Sequence, residues 1–302
     1  MISIGRRLKA QALGIRGKDE RIISAVSYAV VGVLALAALV PVLHVFSKAF
    51  SSGAAVTGGK VSFFPVGFQL ETIRFILTNT IFFTALKNSL FVTILGTVIS
   101  MFATTTTAYA LSRHYLKGRK FVLFLYVLTM LFYGGMVPTY MIIKTYGLLD
   151  RYAALILPFM IIQFNLLIVK NYLEDFPESI EESAKLDGAG YFRILFTMVV
   201  PIAMPVIATV SLLYAVNYWN NYFHAMLYTS SPSMKTLQLF LYDTIKAADE
   251  MIEKLMSSRA ENVSVEGIRS AAVVLSMLPI ILLYPFLQRF VVQGITIGSV
   301  KG

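Results

Sequence analysis

The sequence contains no cysteine, one tryptophan and three histidines. The first absence removes disulfides, thiolate metal sites and cysteine nucleophiles at once. His44, His114 and His224 are scattered and make no credible metal cluster, and no His-Glu-x-x-His occurs. Charge is scarce as well. Only 14% of the 302 residues are charged against 57% hydrophobic, and the mean hydropathy is +0.72, whereas soluble domains carry about 25% charged residues. A water-soluble globular protein is excluded. The phosphate-cradling pattern Gly-x-x-x-x-Gly-Lys-Ser/Thr is missing too, its nearest fragment being Gly58-Gly59-Lys60 followed by Val61, so this chain is not expected to bind ATP itself.

What the chain does have is long apolar runs. Residues 22–46, 88–112, 121–143, 152–169, 201–228 and 270–288 are each long enough to cross about 30 Å of hydrocarbon as a helix. They lack the alternation of barrel strands, and backbone in lipid must satisfy its own hydrogen bonds. The expected fold is an all-α integral membrane protein, a bundle of six transmembrane helices forming one domain over 22–290. Run 22–46 exceeds the core of about 7–15 residues in a secretory signal, so it reads as a retained span. None of the six runs contains Asp, Glu, Lys or Arg. Ion-coupled carriers commonly keep such groups in the membrane as relays, which argues against that class, although sodium can be held by carbonyl and hydroxyl oxygens alone.

The net charge of +10 is placed unevenly. Arg6, Arg7, Lys9, Arg16, Lys18 and Arg21 precede the first run, and Arg113, Lys117, Arg119 and Lys120 lie between the second and third. Basic residues beside apolar runs meet membrane lipid headgroups, not nucleic acid, and mark the cytoplasmic side. Six crossings then put the basic N-terminus (1–21), the tail (291–302) and the segment 170–200 in the cytoplasm, with the loops 51–87 and 229–269 outside. In those outer loops "SSGAAVTGGK" reads as a flexible connector and "AADEMIEKLMSSRAENVS" as an exposed amphipathic helix. Asn262-Val263-Ser264 matches a glycosylation acceptor, a pattern common by chance.

The cytoplasmic segment contains "EESAKLDGAGYFRILFTMVVP", residues 181–201. Asp175 with Glu178, and Ser179 with Glu182, each fit a capping box that would start a short helix. Gly188 and Gly190 would end it near Asp187 and turn the chain. A second helix would then carry Phe192, Leu195, Phe196 and Val199 on one face into Pro201. Helix, turn, helix of this kind fits a solvated surface loop as well as a docking element.

The segment resembles the cytoplasmic loop of permease subunits of ATP-binding cassette importers, whose pattern is Glu-Ala-Ala, two residues, Asp-Gly-Ala, and a spacer ending in Ile-x-Leu-Pro. Here it reads Glu182-Ser183-Ala184, Lys185-Leu186, Asp187-Gly188-Ala189 and Met198-Val199-Val200-Pro201, with Ser for the first Ala and Met and Val for Ile and Leu. "GGMVPTYMIIKTYGLLDRYAALILP", "YWNNYFHAMLY" and "QRFVVQGITIGSVKG" extend the likeness over nearly the whole chain. It is similar to the carbohydrate branch, as in the maltose permease subunit with six spans, and most like a subgroup handling complex oligosaccharides such as alginate or pectin fragments.

The resemblance implies an importer permease fold with a coupling helix, Glu182, Ser183, Ala184, Asp187, Gly188 and Ala189 serving contact with an ATPase. Glu182 would meet a basic or amide group, Ala184 and Ala189 would allow close approach, and Asp187 would brace the turn or touch the partner. It implies as partners a second homologous permease subunit, two ATP-binding cassette ATPase subunits that hold the ATP and Mg, and a solute-binding protein. Residues 293–302 would form a second ATPase contact. This chain itself would hold no cofactor and catalyse no reaction.

The fifth run carries Tyr214, Tyr218 and Tyr222 at four-residue spacing, as it does Asn217 with Asn221 and Asn220 with His224, beside Trp219. On one helix each set forms a stripe. Amides and flat aromatic rings suit the hydroxyls and C–H faces of an oligosaccharide, and equally suit packing between membrane helices. Thr104 to Thr107, Gln163 and Asn165 are weaker cases, since hydroxyls can return to their own helix. Pro201 and Pro205 would bend the run and give the loop leverage on a path.

Overall fold

The computed structural model of the chain describes residues 17–132, 134–246 and 263–299, all helix, turn or loop with no strand among them. The basic residues from Arg6 to Arg16, most of the expected amphipathic helix at 247–264, and the last three residues of the tail lie outside those described. Among the described residues, three helices are long and apolar enough to cross a membrane: within α1 (Gly17–Ala49), α4 (Thr80–Ser112) and the start of α14 (Val265–Ser299). Three bent pairs pass the same test together, which gives up to six spans.

The chain divides into two compact units. The first holds α1, α2 (Gly53–Thr57), the start of α3 (Glu71–Leu77) and the beginning of α14. Residues 21–41 of α1 are exposed all round and almost wholly apolar, as a helix surrounded by lipid would be. Below them the chain is pinned by polar contacts: Ser47 Oγ donates to Phe63 O at 2.6 Å, the Val66 amide donates to Ser51 Oγ at 2.9 Å, and Lys48 pairs with Glu266 at 2.6 Å. The stretch expected to be a flexible connector is instead the helix α2. Ser52 caps it by accepting from the Ala55 amide, and Gly53, Ala55 and Val56 are buried.

The second unit is built around α4, which packs against α8 (Gln163–Glu174) and α12 (Met204–Trp219). Asn79 caps the start of α4 by accepting from the Ile81 amide at 2.9 Å, and the backbone turns extended at Arg113. Its buried face, including Val92, Gly96, Ser100, Thr104 and Ala108, recurs at intervals of four residues, the spacing of one helical stripe.

Three of the expected spans are not straight. The third is α5 (Arg119–Leu131) and α6 (Met136–Thr145), interrupted at the two glycines 134 and 135. The fourth is α7 (Tyr152–Ile156), a tight turn Leu157–Phe159 containing Pro158, and α8, bent by 50°. The fifth begins earlier and ends sooner than its apolar run. It comprises α10 (Tyr191–Ile194), a wide π turn (Leu195–Val199), α11 (Val200–Ile202) and, after an 89° bend at Ala203, α12, which stops at Trp219 before a separate short helix α13 (Phe223–Tyr228). Pro201 and Pro205 cannot donate the amide bonds that would carry the helix through Ala203, which places the break between them.

Candidate functional site

The helix expected in the segment 170–200 forms as α9 (Glu178–Leu186), but neither capping box does. Pro177 occupies the cap position without a side-chain bond, Asp175 instead ends α8, and Ser179 lies inside the helix, its carbonyl accepting from Ser183 Oγ at 2.9 Å. Phe176 is buried just before the proline. That anchor and the preset φ of proline start the helix without a polar cap.

Its C-terminus follows expectation. Gly188 has φ +80°, a left-handed conformation that glycine adopts freely, and Gly188 and Ala189 donate to Lys185 O at 3.0 Å and Ala184 O at 2.9 Å. This double closure leaves α9 a separate rod. Ala184 is buried and Ala189 half-buried, both toward this chain's own core. Glu182, Ser183, Leu186, Asp187 and Gly188 are exposed, Leu186 by 89%. The carboxylates of Glu182 and Asp187 have no partner among the described residues. In the following helices Leu195 and Val199 are buried while Phe192 and Phe196 stack on each other in the open, so the expected single apolar face is divided. The π turn advances the helix more slowly per residue and rotates the later side chains out of phase.

The residue that fastens α9 is Glu181, adjacent to the glutamate singled out in the sequence. Its side chain is 2% exposed and forms an ion pair with Arg113, itself 3% exposed, at the end of α4. The guanidinium carbon lies 4.9 Å from the Tyr109 ring and 5.9 Å from Phe176, and Lys185 approaches the other Glu181 oxygen at 3.9 Å. Nearby, Glu174 holds both Arg119 and Lys170, which clips the 113–119 turn to the end of α8.

At the other candidate site the aromatic stripe divides. Tyr214 and Tyr218 are buried, and their hydroxyls serve the break in the fourth span. Tyr214 is bonded to Thr104 Oγ1 at 2.7 Å and accepts from the Ile162 amide at 3.0 Å. Tyr218 is bonded to Ser100 Oγ at 2.8 Å and donates to Ile156 O at 3.2 Å. Breaking a helix in lipid frees backbone groups that must find partners, and these two rings supply them. Gly96 makes the arrangement possible, because a Cβ there would lie 2.9 Å from the Tyr218 ring. Thr104 thus bonds across helices, while Thr106 returns to Phe102 O at 2.8 Å in its own helix.

Asn217, Asn220, Asn221 and His224 instead line a cavity of about 420 Å³ with Leu213, Val216, Tyr222 and Phe223. Asn217 and Asn220 are exposed to it. His224 shares a 2.8 Å hydrogen bond with Asn221 Oδ1 and sits 4.1 Å from the Phe159 ring. Tyr222 stacks on Tyr242 at 5.2 Å. Trp219 is buried and does not line the cavity, and its indole nitrogen is without a hydrogen-bond partner among the described residues.

With this geometry in place, comparison with known proteins identifies the family. Residues 82–297 fit the family of binding-protein-dependent transport system inner membrane components. The chain belongs to that family. Among curated relatives of this permease, it is 40% identical to the polygalacturonan/rhamnogalacturonan transport system permease protein YtcP of Bacillus subtilis, over 94% of this chain and 99% of that one. Protein LplC of the same organism is 38% identical, over 87% of this chain and 90% of that one. Among solved structures, a chain from a bacterial transporter involved in the import of the acidic polysaccharide alginate superposes with a TM-score of 0.83 at 34% identity, covering 91% of this chain and 98% of that chain. Permease components of this kind are transport subunits and not enzymes.

Proposed function

We propose that this chain is the membrane-spanning subunit of an ATP-driven importer of oligosaccharides containing acidic sugars. It pairs with a second permease subunit to enclose one path, receives substrate from an extracytoplasmic binding protein, and is driven by two ATPase subunits that hold the ATP and Mg. Both termini and α9 lie in the cytoplasm of a bacterial cell. The observation that carries this reading is the two-faced α9, one side sunk in the permease core and the other offering Glu182, Ser183, Leu186 and Asp187 to an absent partner.

On that exposed face the Glu182 carboxylate would accept charge-assisted hydrogen bonds, while Leu186 would bury its side chain in a groove. ATP binding would draw two ATPase subunits together and push their docked helices with them, biasing the permease pair from inward-open to outward-open. Substrate class rests on the cavity at the end of α12. Its amides and aromatic rings suit sugar, and it contains no carboxylate to repel a uronate. The named substrates of the two relatives, polygalacturonan/rhamnogalacturonan and alginate, favour the same class. The test is ATPase activity of the reconstituted complex with its binding protein. Oligogalacturonate is expected to stimulate it and a neutral malto-oligosaccharide is not; equal stimulation by both would remove the acidic-sugar assignment.

A further inference from the structure

Besides the short chain link back through Pro177 and buried Phe176 to α8, two routes lead from α9 into the permease. The first follows the chain through Gly188 and Gly190, the π turn at Leu195–Val199 and the 89° break at Ala203 into α12. Each is a compliant point, and a push applied at α9 is absorbed along it. The second crosses by the ion pair of Glu181 with Arg113 into α4. That helix is uninterrupted for 33 residues, about 50 Å at 1.5 Å per residue, and contains no proline.

Helix α4 makes three grips along its length. At one end is the Arg113–Glu181 pair. In the middle, Ser100 and Thr104 hold Tyr218 and Tyr214 and, through them, both broken ends of the fourth span. More than two turns in from the other end, Asn88 Nδ2 donates to Ser233 O at 2.7 Å and Lys235 O at 2.9 Å, and Ser89 Oγ accepts from the Leu237 amide at 2.7 Å. These last contacts fix the loop after α13 that faces outside in the proposed orientation.

The ion pair is a poor choice for stability alone. It is buried, Arg113 Nε has no hydrogen-bond partner among the described residues, and an apolar pair of like volume would avoid the desolvation penalty. What a buried pair does provide is register between two elements.

We propose that α4 is the rod that carries displacement of the coupling helix to the outer loop at 230–237, with Arg113 and Glu181 as the positioning residues that pin it. This rests on the reading of α9 as the ATPase-docking helix. The test uses the full complex in proteoliposomes, with spin labels on Ser230 and on a fixed site of the partner permease. Sugar imported per ATP hydrolysed is measured alongside. Glu181→Gln is expected to lower that ratio by about 2- to 30-fold while ATP hydrolysis continues, and to shrink the ATP-induced distance change. The charge swap Arg113→Glu with Glu181→Arg restores part of both, and Pro205→Ala, which stiffens the other route, leaves the outer-loop movement in place. A full distance change and an unaltered ratio in assembled Glu181→Gln, or loss of the movement in Pro205→Ala, would overturn the proposal. If Glu181→Gln fails to assemble, the swap decides alone: assembly without restored coupling counts against the pin. A wild-type complex with no ATP response is a different result, because it refutes the docking reading underneath.

Discussion

Replacing Tyr214 by Phe separates packing from transport in the aromatic stripe. The ring stays and only the hydroxyl leaves, taking with it the 2.7 Å bond to Thr104 and the 3.0 Å bond from the Ile162 amide. Thr104 can turn back to a carbonyl of its own helix, so its loss is small. The Ile162 amide has no such recourse at a helix break, and an unsatisfied buried donor costs about 1–3 kcal/mol. Hydrogen bonds in membrane proteins average about 0.6 kcal/mol with a maximum near 1.7, because the unfolded chain in lipid also finds partners. Together these bracket the loss at about 1–2 kcal/mol, roughly a 5- to 30-fold change in the folded-to-unfolded ratio. The assay is SDS-driven unfolding of the purified chain in mixed micelles, followed by sugar selectivity of the reconstituted complex. The expected result is lower stability with unchanged selectivity. Unchanged stability together with altered selectivity would refute the bracing role and return Tyr214 to the sugar path.

Gly96→Ala should act on the neighbouring brace, since the added methyl overlaps the buried Tyr218 ring and overpacking costs about 1–3 kcal/mol; the same unfolding assay checks it, and Tyr218→Ala should relieve the overlap. Asn217→Ala with Asn220→Ala removes two amides from the cavity wall and is expected to weaken or alter oligosaccharide uptake while the complex still assembles, as read by transport and co-purification. Asp150, at φ +56°, accepts from the Ser230 and Ser231 amides at 2.7 and 2.9 Å, and those bonds hold its carboxyl below the usual carboxylate range. A depressed value makes the clasp fully present above the ordinary carboxylate pKa of about 4 and lost only as pH falls further, through the folded value. Hydrogen exchange at Ser230 and Ser231 should therefore stay protected to about pH 4 and open below it, whereas opening well above that would contradict the assignment.

The class of the molecule was legible because composition and apolar length act locally: a run of apolar residues crosses lipid whatever its neighbours do. The glycine that ends α9 was legible for the same reason, since Gly188 adopts its left-handed turn from local sterics. Breaks inside the spans were only partly so. Prolines 158, 201 and 205 announce them, but the bend angles depend on which side chains arrive to satisfy the freed backbone, and Tyr214 and Tyr218 arrive from another helix. Four-residue spacing put the tyrosines, asparagines and histidine on common stripes, yet the helix stops at Trp219, and burial separates two bracing tyrosines from the cavity-lining amides. The Arg113–Glu181 pair was not legible at all. Arg113 read as one of several cytoplasmic cations and Glu181 received no role, and no local pattern reports a contact between segments so distant in sequence.

In the proposed cycle this chain moves sugar only when an ATPase engages the exposed face of α9. Uptake of labelled oligogalacturonate into proteoliposomes holding the complete complex, wild type against Glu182→Lys, tests that directly. ATP-dependent uptake in wild type, its loss in Glu182→Lys with the chain still inserted, and no uptake by the chain alone under an ion gradient are the expected results. Normal ATP-driven uptake in Glu182→Lys, or ion-driven uptake by the isolated chain, would contradict it.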